Sequence, residues 1–302
     1  MTRIGFLACE GTLPGSARRR EDAYEHDLYI GALEPALRDA GHELEVIDWE
    51  SPLEAFARIG LILLGTVWDY QDKEAAFLAK LDALEASGAI LCNGADVVRW
   101  NIDKRYLAEM AERGVPTVPT LWVEEATAED VERARRQFAS EQIVAKRQVG
   151  AGAEGQFLFG PDNPVPDGWK SPRPMMLQPF LPAIQSEGEY SFIFIDGAPS
   201  HVLNKRAAVG DYRIQSLYGG TEVAADPTQD DITAAQYAYD SLPFPSPLYA
   251  RIDMVRGPEG NLLLIEAELI EPYLYPEQGP ELGVRLANGI AKRLEAQANS
   301  TT

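Results

Sequence analysis

The chain has 302 residues, 45% hydrophobic and 25% charged, the balance of a folded globular protein with room for two or three compact units. Lys and Arg number 27 against 47 Asp and Glu, a formal net charge of −20. Nucleic acid and anionic membrane are bound mainly through Lys and Arg neutralising phosphate, so neither is expected as a partner.

In chain order, residues 3–8 read as a strand, 28–40 as a helix stopped by Gly41, and 43–47 and 60–64 as strands. A helix over 73–86 ends near Gly88, and 89–92 closes the series as a strand. Strands alternating with helices imply a parallel, doubly wound sheet. Within it, 16–25, with Arg18, Arg19 and Arg20, is polar and turn-rich and reads as a solvated loop. Beyond Asp103 come a helix to Arg113, a strand at 121–123, a helix over 128–139, a strand at 142–146 and an apolar run at 156–159. That is α+β material. Residues 162–174 read as a surface loop, rich in Pro and Gly. Strands follow at 175–179, 190–195, 199–204, 250–255 and 262–268, with helices near 233–241 and 282–298, so the last unit is a mostly antiparallel sheet flanked by helices. The N-terminal apolar run is too short for a signal peptide, and 59–67 falls short of the roughly 20 residues of a spanning helix. Cys9 and Cys92 end apolar runs as small buried hydrophobes do, and a cytoplasmic protein is expected.

Gly150-Ala-Gly152-Ala-Glu-Gly155 has the G-x-G-x-x-G spacing of dinucleotide sites and follows a predicted strand. The segment after it, Gln156-Phe-Leu-Phe159, has strand composition, whereas a dinucleotide site needs a helix there. A hairpin flap of backbone N–H groups over phosphates fits better. Lys146, four residues upstream, would bring an ammonium to the same phosphates; a surface lysine before a flexible loop is the plain alternative.

Two predicted strands carrying Arg251-Ile-Asp253 and Leu262-Leu-Leu-Ile-Glu266-Ala-Glu268 flank the turn Gly257-Pro-Glu-Gly260. With Arg256 paired to Asn261, Asp253, Glu266 and Glu268 share one face. Carboxylates that close ionise together only around a cation, and Mg2+ suits a hard oxygen set completed by water and substrate phosphate. A solvated strand end is the alternative, but the unbroken Leu-Leu-Leu-Ile marks a strand buried on both sides. A glycosidase-type acid pair would leave the lysine and flap without a role.

Taken in order, Asn101-Ile-Asp-Lys104, Val144-Ala-Lys146 with the glycine loop, Leu177-Gln-Pro-Phe-Leu181, Gly188-Glu-Tyr-Ser191, Ser200-His-Val-Leu-Asn-Lys205, Gly210-Asp-Tyr-Arg-Ile-Gln215, Arg251-Ile-Asp253 and Glu266-Ala-Glu268-Leu-Ile-Glu-Pro272 resemble the ATP-grasp superfamily. The likeness covers nearly the whole chain and is to the branch with prokaryotic glutathione synthetase and the D-cycloserine-forming ligase. It implies an α/β and α+β ATP-grasp fold: a Rossmann-like N-terminal domain (1–100), a central lid (101–180) and a C-terminal, mostly antiparallel core with the metal site (181–302), ATP lying between two sheets.

By that resemblance Lys104 and Lys146 contact the ATP phosphates beneath Gly150 and Gly152, while Gln178, Phe180 and Leu181 line the adenine. Glu189, or else Glu187, accepts the ribose hydroxyls. Lys205, Arg213 and Arg251 would be the catalytic cations. Asp253, Glu266 and Glu268 would hold Mg2+, one ion or two, with Mn2+ as a substitute; relatives carry Asn where Glu268 stands. Trp68, Asp69 and Tyr70 follow a predicted strand at the end where doubly wound sheets take ligands, and the same tripeptide recurs in the cycloserine-ligase branch. They are assigned to the acceptor pocket; an aromatic corner with Asp69 capping the next helix is the alternative. Glu10-Gly-Thr-Leu-Pro14 would line the same cleft, and Gly15-Ser-Ala-Arg-Arg-Arg20, where relatives carry acids, points to a different substrate.

The implied activity is ATP-dependent, ADP-forming ligation of a carboxylate to an amine or related nucleophile through an acyl phosphate, on a small amino-acid-like or peptide substrate; a homodimer is compatible with it. The rivals are a regulator that binds ATP without turnover and, from another class, an NAD-dependent oxidoreductase using the glycine motif.

Overall fold

The computed structural model describes residues 2–150, 155–208 and 219–300. Gly152 and Arg213 therefore lie outside the described residues.

The chain opens with β1 (Arg3–Ala8), α1 (Tyr24–Asp39), β2 (Glu43–Asp48), β3 (Ile59–Thr66), α2 (Glu74–Ala86) and β4 (Ile90–Cys92). The strands form a wholly parallel sheet of order β2-β1-β3-β4. Alternate side chains explain its two covered faces. Ile4, Phe6, Leu61 and Leu63 pack with Tyr29, Leu33 and Leu37 of α1, whereas Leu7, Ile62 and Leu64 pack with Phe77, Leu81 and Leu84 of α2. The first helix starts four residues before its expected position. A 3-10 turn at Glu21–Ala23 leads into it, and no side chain caps its start.

Two short helices follow, α3 (Ala95–Asn101) and α4 (Tyr106–Glu112). The first was not anticipated from sequence: it is short, and Ala95, Val97, Val98 and Asn101 bury most of its circumference, leaving no amphipathic period to read. A second sheet is built from β5 (Leu121–Val123), β7 (Ile143–Arg147), β8 (Phe157–Phe159) and β10 (Met175–Pro179), in antiparallel order β5-β10-β7-β8. Between these come the two-residue strands β6 (Ala126–Thr127) and β9 (Lys170–Ser171), which pair with each other, and α5 (Ala128–Phe138). The α5 residues Val131 and Ala134 cover one face of the second sheet through Val123, Ile143, Ala145, Met175 and Leu177. The glycine segment thus joins β7 to β8 as a hairpin, which is not the strand–turn–helix a dinucleotide fingerprint requires.

The third unit comprises α6 (Ala183–Ser186), β11 (Glu189–Ile195), β12 (Ala198–Arg206), β13 (Thr221–Ala224), α7 (Gln229–Asp240), β14 (Tyr249–Arg256), β15 (Leu262–Glu268) and α8 (Leu282–Ser300). Its sheet is antiparallel, ordered β13-β12-β11-β14-β15. One face, with Phe192, Phe194, Ile252, Met254, Leu264 and Ala267, rests on α4 and α7. The other is split. Ile193, Ile195 and Leu203 join α8 and the first sheet in a shared core, while Glu189, Ser191, Lys205, Arg251 and Asp253 occupy polar positions on the same face. Those positions form the candidate site.

Candidate active site

Placing Asp253, Glu266 and Glu268 together depends on a bulge. Arg256 pairs with Leu262, one residue beyond the expected Asn261. An unbroken ladder from that pair would turn Glu266 and Glu268 to the face opposite Asp253, since one step of register reverses every side chain. The register shifts between Asp253 and Met254, Ile265 takes no partner, and Asp253 pairs with Glu266 and Arg251 with Glu268. The acids share a face as expected, through a different register.

Asp253, 2% exposed, accepts from Ser191 Oγ, from Arg251 Nε at 3.0 and 3.1 Å, and lies 3.4 Å from Lys205 Nζ. Arg251 also reaches Glu268 and the Tyr273 carbonyl (3.2 Å), with its guanidinium 5.7 Å from the centre of the Tyr275 ring. Lys205 pairs with Glu189 across the β11–β12 ladder. Gly188 sets that approach: its φ is +98°, and a Cβ there would stand 2.5 Å from the Lys205 carbonyl oxygen. Lys104 Nζ lies 3.1 Å from Glu266 and donates to the Gly150 carbonyl.

The β15 end is pinned from behind. The Asn101 side chain donates to the Ala267 carbonyl at 2.7 Å and accepts from the Leu269 N–H at 2.9 Å, and the Tyr106 hydroxyl accepts from the Ala267 N–H at 2.9 Å. Asn93 binds the Leu269 carbonyl and the Leu248 N–H in the same manner. These bonds fix the β15 backbone beside Glu266 and Glu268.

Burial alone would discharge this cluster, and the partners decide otherwise. For Asp253 burial is outweighed by Arg251, Lys205 and Ser191, so its pKa falls below the usual carboxylate value. Burial likewise opposes the charge of Lys205 and Arg251, but their acidic neighbours raise both. Glu268 is pushed up to about 7 by burial, with Arg251 opposing and Glu266 and Asp253 adding repulsion. Among the described residues no group of three His, Cys, Asp or Glu side chains is gathered tightly enough to grip a metal as it stands; each acid here meets a basic group. The donor set nevertheless fits Mg2+: hard carboxylate oxygens on one face, with repulsion at Glu268 that a divalent cation would relieve.

The second sheet faces this cluster with Lys146, paired in register with Met176. Burial lowers the Lys146 pKa; Glu266 and Glu189 act against that and Lys104 adds to it. Among the described residues no carboxylate lies within ion-pair distance of its ammonium. Gln178, 2% exposed, gives its side-chain amide to Thr120 Oγ1 at 2.9 Å, and the Phe180 N–H goes to the Gln142 carbonyl at 2.9 Å. The Leu181 N–H has no backbone acceptor among the described residues. Glu187, the alternative ribose acceptor, is bound 2.9 Å from Arg256, which also holds Asp231 at 2.6 Å; Glu189 faces the cluster.

Residues 4–93 match the family model for the N-terminal domain of D-cycloserine synthetase DcsG. The cycloserine biosynthesis protein DcsG of Streptomyces lavendulae is 29% identical over 286 residues, 89% of this chain and 95% of that protein. The crystal structure of D-cycloserine synthetase DcsG superposes with a TM-score of 0.81 at 24% identity, covering 97% of this chain and 99% of that one. The ATP-grasp ligase PsnB, solved with a minimal precursor, Mg and ADP, superposes at 0.63 and 15% identity over 97% and 98%. The chain has the ATP-grasp fold and is an enzyme of the ligase class.

At the carboxyl edge of its parallel sheet, this ligase carries the Trp68–Tyr70 corner. Asp69 is no helix cap: it accepts from Trp49 Nε1 and from Lys73 Nζ, both at 2.8 Å. The buried Tyr70 hydroxyl bonds Glu271, a residue of the last sequence motif that was given no site role because it lies in an irregular segment before Pro272. Burial and Glu268 raise Glu271 to about 8. Ser191 was also missed as a site residue, although its strand parity with Glu189 reveals it. The Arg18–Arg20 segment is not simply solvated: each arginine is ion-paired, and Arg20 lies on Trp68. No described helix of the ligase is long and apolar enough to cross a membrane.

Proposed function

We propose that this ATP-grasp ligase phosphorylates the carboxylate of a small amino-acid-like or peptide substrate with ATP and transfers the acyl group to an amine or related nucleophile. ATP, carboxylate and nucleophile become ADP, inorganic phosphate and the ligated product. The observation that carries the reading is Lys146, a half-buried ammonium with no carboxylate partner among the described residues, facing an acid cluster across two sheets. A cation so placed asks for a polyanion, and phosphates held between lysines and a divalent ion satisfy both sides.

Lys146 and Lys104 would bind the phosphates, Gly150 would begin the covering flap, and Leu181 would offer its N–H to the base. Glu189 would take the ribose, releasing Lys205 toward the transferring phosphoryl group. Asp253, Glu266 and Glu268 would hold Mg2+, or Mn2+ in its place, which supplies charge neutralisation at the phosphates. Arg251, fixed by Asp253 and the Tyr273 carbonyl, would steady the acyl oxygen. Trp68, Asp69 and Tyr70 would wall the acceptor end, with Gly152 and Arg213 assigned to flap and phosphate by sequence resemblance. The second sheet would act as a lid that excludes water from the acyl phosphate. The relative's printed role in cycloserine biosynthesis supports a place in amino-acid or natural-product biosynthesis, in the cytoplasm, as a monomer or homodimer.

ADP and phosphate release, measured with ATP, Mg2+ and a panel of amino acids and dipeptides, tests the proposal. Release that depends on a carboxylate and an amine together is the expected result. AMP with pyrophosphate, or no nucleotide turnover with any pair, would contradict it.

A further inference from the structure

We propose that Arg20, seated on Trp68, reads a carboxylate borne by a substrate at the acceptor end of the cleft, so that one co-substrate is an acid at a point remote from the bond being made. The inference rests on the ligase reading above and adds the substrate's chemical class.

Asp22 binds the Nε–Nη2 edge of Arg20 through two 2.7 Å hydrogen bonds. That occupies one fork of the guanidinium and leaves the Nη1–Nη2 fork, which matches a second carboxylate. Asp22 is 9% exposed and braces the arginine from the protein side, while the Arg20 side chain is 43% exposed. The guanidinium carbon stands 5.5 Å from the Trp68 ring centre, a contact that fixes its plane. Of the acids nearby, Glu10 is engaged by Arg18 at 3.2 Å and Asp27 by Arg19 at 2.6 Å, while Glu25 acts on Arg20 through space only. With Asp22 already offsetting its charge, Arg20 suits a planar monoanion better than a phosphate dianion.

The position connects to the phosphate end through named contacts. The Trp68 carbonyl accepts from the Gln71 amide at 3.3 Å, and Gln71 Oε1 lies 3.8 Å from where a Cβ on Gly150 would stand. The Gly150 carbonyl accepts from Lys104, which pairs with Glu266. Tyr70, bonded to Glu271, joins the same wall to the segment after Glu268.

Calorimetric titration of D- and L-alanine, serine, aspartate and glutamate, and of their α-carboxamides, into the protein with Mg–AMPPNP tests this. At least one acid should bind wild type, weaken about tenfold or more in Arg20→Gln and regain part of that in Arg20→Lys. The matching amide should bind both proteins equally weakly. Trp68→Leu keeps the Asp22 brace and should weaken the acid several-fold; with Arg20→Lys it carries the test if Arg20→Gln does not fold. Equal acid affinity in wild type and Arg20→Gln, an amide bound as tightly as its acid, or no acid bound while Mg–AMPPNP binds would each overturn the assignment. Failure of Mg–AMPPNP itself to bind wild type would overturn the ligase reading instead.

Discussion

Lys146 shows how a single side chain reveals a ligand class. Its ammonium is half-buried with its pKa lowered, and among the described residues no carboxylate pairs with it, an arrangement that stability alone does not favour. Lys146→Met should therefore weaken Mg–AMPPNP binding about tenfold or more while leaving the melting temperature unchanged or higher, as calorimetry and thermal unfolding would read. Asp253 is the opposite case. Arg251, Lys205 and Ser191 all converge on it, so Asp253→Asn leaves two buried cations short of a counter-charge. The expected loss is about 3–5 kcal/mol of stability in urea unfolding, together with loss of turnover.

At the level of elements, the acid site is the product of one unpaired residue and two polar pins. Ile265 restores the shared face, and Asn101 and Tyr106 hold the strand that presents it. Asn101→Ala strands an N–H and a carbonyl at the β15 end and should cost about 1–3 kcal/mol, with kcat falling more than nucleotide affinity. The helix α7 carries a pH-sensitive tie. Burial disfavours the Asp231 charge, but Arg256 and Thr228 outweigh it and hold the pKa below its usual value. The stabilisation is thus complete above the unfolded carboxyl value, about 3.9, and disappears as pH falls through the folded one. Urea midpoints measured from pH 6 to pH 2.5 should show a steeper acid loss in wild type than in Arg256→Gln. Much of this was legible in the residues. Runs such as those of β1, β3 and β15 announce strands by composition, and the acids were placed on one face. The register was not legible, because Gly257 to Gly260 allows a turn of either length and a bulge leaves no mark in hydropathy. Nor was the role of Arg20, which depends on Asp22 and Trp68 meeting it in the folded chain.

Across the whole molecule, the parallel sheet and the five-stranded sheet share a core through Ile4, Phe6, Leu61, Ile193, Leu203, Leu286 and Ile290. The Tyr249 hydroxyl sits among the carbonyls of Leu64, Cys92 and Ile270, joining the same two sheets at a polar point. The Trp68–Tyr70 corner and the acid cluster therefore stand on one continuous support, and the second sheet, with its separate core around Val131 and Met175, brings Lys146 to them. The alternation of strands and helices foretold the parallel sheet, and the run of strands after residue 175 the antiparallel one; the packing of α4 beneath β14 and β15 depends on tertiary contacts that no local pattern encodes. In the proposed reaction, cations converge on a terminal phosphate beside a carboxylate, so that one carboxylate oxygen leaves with that phosphate. The direct test uses ¹⁸O-labelled carboxylate substrate, chosen by the ADP-release screen, with the label followed by mass spectrometry. Label is expected in inorganic phosphate alongside unlabelled ADP; label in AMP, or phosphate without label, would overturn the acyl-phosphate route.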